Sequence, residues 1–169
     1  MTKKTMKINK RYLPTILSRK DRNKQKKMLL KSKKLYKKEI YYTRKRVSSY
    51  KSKTSSHIKN AVKLYKVPKI DATNELVKAS GCSKSALKKI IRKGEGAYFS
   101  SGSRPNQTAQ SWGKARLASA LTSGKAAAVD YKILEDGCKS NSKALSLAKK
   151  AREKYGYGRR RAVKTKIII

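Results

Sequence analysis

Apolar side chains are sparse and clustered in this chain, and their spacing decides which elements it predicts. From Arg19 to Lys27 there is no aliphatic residue; Met28, Leu29, Leu30, Leu35 and Tyr36 then supply a single face. Ser18 followed by Asp21 is a short capping-box variant, so the pattern predicts a helix from Arg19 to about Lys38. A helix this polar needs a partner against its one apolar face. Residues 1–17 read as an extended arm, with Pro14 keeping Leu13 out of helix. Ile40–Thr54 alternates loosely, Tyr42, Val47 and Tyr50 standing among Arg44, Lys45, Arg46, Lys51 and Lys53. That segment predicts an extended, tyrosine-studded strap.

The middle of the chain is richer in usable spacings. Ile58, Ala61, Val62 and Tyr65 fall at i, i+3, i+4 and i+7, one clean helical face after a Ser55 or Ser56 cap, and Val67-Pro68 ends it. Two short helices are predicted next: Thr73–Ser80, stopped by Gly81, and Ser83–Lys93, stopped by Gly94. Gly96–Pro105 is too rich in Gly and Ser for a helix and reads as a packed loop or hairpin. A helix from about Thr108 to Thr122 is lined by Ala109, Ala115, Ala118 and Ala120, and Gly124 follows it. Ala126–Glu135 fits helix or strand and is taken as helix; Ser142 caps a last helix to about Tyr155. The expected fold is mainly α. A helical core domain spans 56–156, with a long basic arm carrying one helix at 1–55 and a short basic tail at 157–169. Both extensions have too little apolar surface to order themselves alone.

Charge sharpens this division. Residues 1–66 hold 24 of the 47 Lys and Arg against Asp21 and Glu39, a net of +22 in a chain of +38. With a pI near 10.5, a chain this self-repelling needs a polyanionic or acidic partner. On the first predicted helix the candidate contacts are Arg19, Lys20, Arg22, Lys24, Lys26 and Lys27. Arg44, Lys45 and Arg46 follow on the strap, and Arg159, Arg160 and Arg161 in the tail. Each base paired with a phosphate releases a counterion. Tyr36, Tyr41, Tyr42 and Tyr50 are placed to stack on nucleobases or to pack on protein.

Leu76, Val77, Gly81, Leu87 and Ile90 match the apolar frame of a helix-turn-helix, which would present Ser83, Lys84, Ser85, Lys88 and Lys89 to the major groove or its phosphates. Helix pairs joined by Gly are common, so a plain packed hairpin is the competing reading. Enzyme chemistry has no positive support. Gly94-Glu-Gly lacks the Lys-Ser/Thr of a phosphate loop, and Ser100, Ser101 and Ser103 lack a base and a Gly-x-Ser-x-Gly frame. Cys82 and Cys138 stand 56 apart without a CxxC or Cys/His cluster, and His57 is the only histidine. Zinc, haem and other cofactors are not expected. The cysteines read as small buried residues of a reducing compartment. No stretch predicts a membrane span, and no secretory h-region follows the basic start.

Three blocks look familiar: Gly96–Pro105, Ser111–Ala120 and Gly124–Tyr131. With Tyr12-Leu-Pro14 and Lys31–Lys37 in the leader, they resemble a domain of unknown function in proteins of large nucleocytoplasmic DNA viruses, chlorella viruses among them. The resemblance implies a virus-encoded, virion-associated protein and brings no catalytic residues. The expected function is a minor capsid protein at the inner capsid surface that cements coat proteins and faces packaged double-stranded DNA. Its expected location is the capsid interior, after assembly in a reducing host compartment. The alternative is a viral DNA-binding protein that condenses the genome or regulates through the helix pair.

Overall fold

A computed structural model gives the structure over residues 5–158 and 162–169. The fold is mainly α, as the periodicity predicts. Among the described residues the order is β1 (Thr5–Asn9), a 3-10 turn (Lys10–Tyr12), α1 (Arg19–Tyr36), α2 (Ser56–Tyr65), α3 (Asn74–Ser80) and α4 (Lys84–Ser100). Then come α5 (Ala109–Leu121), α6 (Lys125–Val129), α7 (Tyr131–Gly137), α8 (Lys143–Tyr155) and β2 (Lys164–Ile168). Contacts divide the chain into two units. One comprises 1–52, 97–108 and 161–169, the other 53–96 and 109–160. This differs from the arm, core and tail boundaries expected from composition, because 97–108 and the C-terminal strand join the leader.

The first unit is built from segments far apart in sequence. β1 and β2 pair antiparallel, Thr5 opposite Ile168 and Asn9 opposite Lys164. Ile8 and Ile167 then bury against Leu13 and Leu29, with Met6, Tyr12 and Leu30 around them. Ser18 caps α1 by accepting a hydrogen bond from the Asp21 amide at 3.2 Å. The helix buries Asp21, Gln25, Met28, Leu29 and Ser32, a stripe that includes two polar residues besides the aspartate. A second small cluster joins Met28 to Leu17 and to Val47 of the strap, with Tyr42 and Tyr50 against it. The Asn106 side chain fastens the strap: its Oδ1 accepts from the Val47 amide at 2.8 Å and its Nδ2 donates to the carbonyls of Val47 and Tyr50. Gly102 has φ +111°, and a Cβ there would lie 2.8 Å from the Leu29 side chain. The loop approaches the helix that closely only with glycine.

The second unit is a helical cluster around Leu76, Leu87, Ile90, Leu117, Leu121, Leu134 and the alanines of α5, α6 and α8. Small residues let those helices lie close together; Ala118 and Ala120 of α5 and Ala148 and Ala151 of α8 are all fully buried. Two glycine-based boundaries are corrected. The second helix of the expected pair does not stop at Gly94, and Gly96–Pro105 is not all loop: α4 runs on to Ser100. The reason is packing. A Cβ on Gly94 would stand 2.6 Å from the Gly113 Cα, so Gly94 serves a close approach of α4 and α5 rather than a helix end. The 126–135 region is helical but split at Asp130 into α6 and α7.

The cysteines are also corrected. Cys82 and Cys138 form a disulfide, where the sequence led us to expect free thiols. Backbone pairing brings them together: the Ser83 amide donates to the Gly137 carbonyl at 2.7 Å, and Lys139 donates to Gly81 at 2.9 Å. Spacing could not reveal this, because the bridge joins the α3–α4 turn to the α7–α8 turn.

Candidate polyanion-binding face

The cationic face of the first unit follows from the burial of α1. Positions 21, 25, 28 and 32 face inward, which turns 20, 24, 27, 31 and 34 outward along the neighbouring stripe. All five are exposed lysines: Lys20, Lys24, Lys27, Lys31 and Lys34. Their 4-3-4-3 spacing keeps them in line over about 21 Å at 1.5 Å per residue. The strap runs beside this stripe. Lys24 Nζ donates to the Arg46 carbonyl at 2.9 Å, the Lys45 amide donates to Met28 Sδ at 3.2 Å, and Lys31 Nζ sits 4.7 Å above the Tyr42 ring. Lys45 and Arg46 are themselves exposed.

Where α1 begins, helix and strap enclose a hollow of about 670 Å³ lined by Lys20, Lys24, Arg46, Lys51, Ser48 and Ser52, with Asp21 and Asn106 also on its wall. The Asp21 carboxylate does not neutralise that wall from the surface, being 6% exposed. Its Oδ2 accepts from the Ser49 amide and hydroxyl, both at 2.7 Å, and from the Ser48 hydroxyl at 3.2 Å. Those bonds, Ser49's hydroxyl first, hold its carboxyl below the ordinary value despite partial desolvation. Asp21 therefore acts as a bracket between α1 and the strap, with the charge of Lys24 adding to the lowering.

The remaining sequence candidates separate by what they touch. Arg19 and Lys27 are exposed on α1. Arg22 is half-buried, Nη1 donating to the Leu13 carbonyl at 2.7 Å, and Lys26 donates to the Ile168 carbonyl; both tie the leader and β2 to α1. Arg44 is a correction. It is 7% exposed, so it is a brace and not a surface contact. Its guanidinium donates to Ser32 Oγ at 3.1 Å, the Tyr98 carbonyl at 2.9 Å and Ser103 Oγ at 2.8 Å. It also lies 3.7 Å from the Tyr98 ring centroid. Burial lowers its pKa from the ordinary value. Ser103, one of the serines weighed as a nucleophile, is fully buried in this bracket and donates to the Arg104 carbonyl.

In the second unit, Lys84, Lys88 and Lys89 are exposed on α4, and Lys84 Nζ donates to Asn74 Oδ1 at 3.2 Å. The helix pair and its Gly81 turn are as expected. Ser83 and Ala86, however, lie against Gly137, so one side of the start of α4 is covered. Arg159, Arg160 and Arg161 lie outside the described residues. Asp130 is buried between Arg116, whose Nε and Nη2 reach it at 2.7 and 2.9 Å, and Lys93 at 2.6 Å. Burial also lowers the pKa of His57. No group of three or more His, Cys, Asp or Glu among the described residues could hold a metal ion. No helix among them is long and apolar enough to cross a membrane.

The profile of a family of unknown function, DUF5824, matches residues 6–140. The chain belongs to this family. The DUF5824 match takes in β1 from Met6, α1, the strap, the Arg44 bracket and both cysteines; α8 and β2 lie beyond it. Neither curated proteins nor solved structures give a match.

Sequence reasoning missed Lys31 and Lys34 as parts of one stripe with Lys20, Lys24 and Lys27. The signal was present in the 4-3-4-3 lysine spacing, but a search for apolar periodicity passes over it.

Proposed function

We propose that this protein binds nucleic acid through the phosphate backbone, without reading sequence and without catalysing a reaction. The observation that carries this reading is the lysine stripe of α1, five exposed ammonium groups in line, with Lys45 and Arg46 on the strap beside it. A 21 Å line faces about six phosphates of one strand, which recur every ~3.4 Å of duplex axis. Lysines suit this role as hydrated point charges without a preferred base edge. Five neutralised phosphates give a log–log salt slope of about −4.5 on duplex, a loss of roughly 500-fold between 50 and 200 mM salt.

The test replaces Lys20, Lys27 and Lys34 together by Ala. The salt slope on duplex should flatten by about 2.7 and affinity should fall on every sequence alike. If that variant binds as wild type while Lys84, Lys88 and Lys89→Ala abolishes binding, the site is the helix pair and the reading is wrong.

A second reading has its own support. Ile16 and Val163 are 73% and 71% exposed, and Val163 lines a 380 Å³ hollow with Asn9, Lys10, Arg11 and Pro14. Apolar groups left bare beside cations suit a protein partner. This supports the inner-capsid cement implied by the viral resemblance, with coat protein on one side and packaged DNA on the lysines. Mass spectrometry and a density map of purified particles test it; absence of the chain from the particle rules it out.

A further inference from the structure

At the end of α1 the chain reverses through a Schellman turn. The Ile40 amide donates to the Leu35 carbonyl at 3.1 Å and Glu39 donates to Tyr36 at 3.0 Å. Glu39 occupies the left-handed position at φ 58°. The turn carries Tyr41 back beside Tyr36, with ring centroids 6.1 Å apart, and against Phe99 at 5.2 Å, both edge-to-face. Phe99 in turn packs edge-on to Tyr98 at 5.0 Å, and Tyr98 is fully buried with its hydroxyl accepting from the Arg44 amide. A chain of ring contacts therefore anchors Tyr41 to the interior. Yet Tyr41 is 67% exposed and Ile40 beside it 50%. Of the strap's other tyrosines, Tyr42 lies under Lys31 and Tyr50 packs on the Leu17 cluster.

An aromatic ring that is fixed and bare, with exposed Lys34, Lys37 and Lys38 close by in the chain, combines the two elements of single-strand recognition: a stacking surface and a charged track. We propose that Tyr41, braced by Tyr36 and Phe99, stacks on an unpaired nucleobase, so that the protein prefers single-stranded nucleic acid to closed duplex. This deepens the backbone-binding reading and rests on it. In a closed duplex each base face is covered by its neighbours, and the ring has nothing to stack on except at an end. In a single strand the base swings onto the ring while its phosphates follow the α1 lysines. The ring's fixed position lowers the ordering cost of that contact.

The experiment compares three labelled probes of equal length and charge by fluorescence anisotropy: an oligothymidine, an abasic strand and a closed duplex hairpin. Wild type should bind oligothymidine about tenfold more tightly than the abasic strand, the scale of one stacked base. Tyr41→Ala should lower oligothymidine affinity to the abasic level and leave abasic binding unchanged, and Tyr41→Phe should restore it. The ring's exposure makes misfolding a minor effect of Tyr41→Ala, which far-UV circular dichroism checks. Equal wild-type affinity for thymidine and abasic strands overturns the proposal, as does a Tyr41→Ala loss of equal size on both. Failure of the underlying reading has a different signature: wild type then binds neither abasic strand nor duplex with a steep salt slope.

Discussion

Arg44→Ala should loosen the first unit without acting through ligand contact. The arginine holds three parts together: Ser32 of α1, the strap that bears it, and Tyr98 with Ser103 of the 97–108 segment. The two serine hydroxyls have other acceptors, the carbonyls of Phe99 and Arg104, so their loss is tolerated. The Tyr98 carbonyl loses a charged donor in a buried place, which costs about 1–3 kcal/mol. The guanidinium-ring contact, desolvated here, contributes about 2 kcal/mol. Relief from burying a charge offsets part of this, leaving a net of about 3 kcal/mol. That corresponds to roughly a 150-fold rise in the opening equilibrium. Hydrogen exchange read by mass spectrometry should show faster exchange in peptides covering 28–50 and 97–104. Lys45→Ala, one residue away and exposed, should stay within about 0.5 kcal/mol of wild type. If Arg44→Ala leaves exchange unchanged while weakening nucleic-acid binding as the α1 lysine variants do, the guanidinium is a ligand contact and the bracket argument fails.

Reduction of the Cys82–Cys138 bond, or the double change to Ser, should destabilise the second unit by about 4 kcal/mol, from the entropy of a loop closed across 56 residues. Trp112 fluorescence in a urea titration with and without reductant measures it, and coincident curves would refute the bridge. Asp21 should confer acid sensitivity. Its folded-state pKa is lowered, so its bonds to the strap add stability above the ordinary carboxylate range near 4, and that contribution disappears as pH falls through the lower folded value. The protection factor of the Ser49 amide, its exchange rate relative to an unstructured amide at the same pH, should therefore fall in acid. In Asp21→Asn that protection factor should be lower at neutral pH and nearly insensitive to acid; a pH response equal to that of wild type would exclude Asp21 as its source.

Much of the local structure was legible. Ser18 and Ser142 cap the helices they were expected to cap, accepting from Asp21 and Leu145. The i, i+3, i+4, i+7 set from Ile58 to Tyr65 lies on one helix whose Ala61 and Tyr65 are buried. The strap forms neither helix nor strand and turns at 48–49, where its loose alternation suggests a plain extended run. What sequence hid was convergence. Ile8, Leu13, Leu29 and Ile167 form one cluster, yet no window of the chain contains more than two of them near each other. The leader therefore looked too poor in apolar groups to pack. Glycine misled for a related reason: at Gly94 the missing side chain serves a neighbouring helix, and nothing local distinguishes that from a stop. Arg44 was one base among 47. Only the arrangement of acceptors around it separates a brace from a contact.

The placement of five of the nine acids helps explain how a chain this basic folds and still keeps a bare cationic face. Asp21 and Asp130, both buried, are spent internally, one joining α1 to the strap and the other joining Arg116 and Lys93 to the α6–α7 break. Glu135 and Asp136 share the single exposed cation Lys132, three and four residues away on the same helix. Asp71 pairs with Lys114. Apart from Lys24, whose charge acts on Asp21, the α1 lysines take no part in these pairings, and their mutual repulsion remains for a polyanion to relieve. Salt then acts on the protein in opposite directions. It screens the repulsion among like charges and so favours the folded chain, while it competes for the phosphates and weakens the complex. A fold whose charge is balanced by ligand is stabilised by binding at low ionic strength and by screening at high.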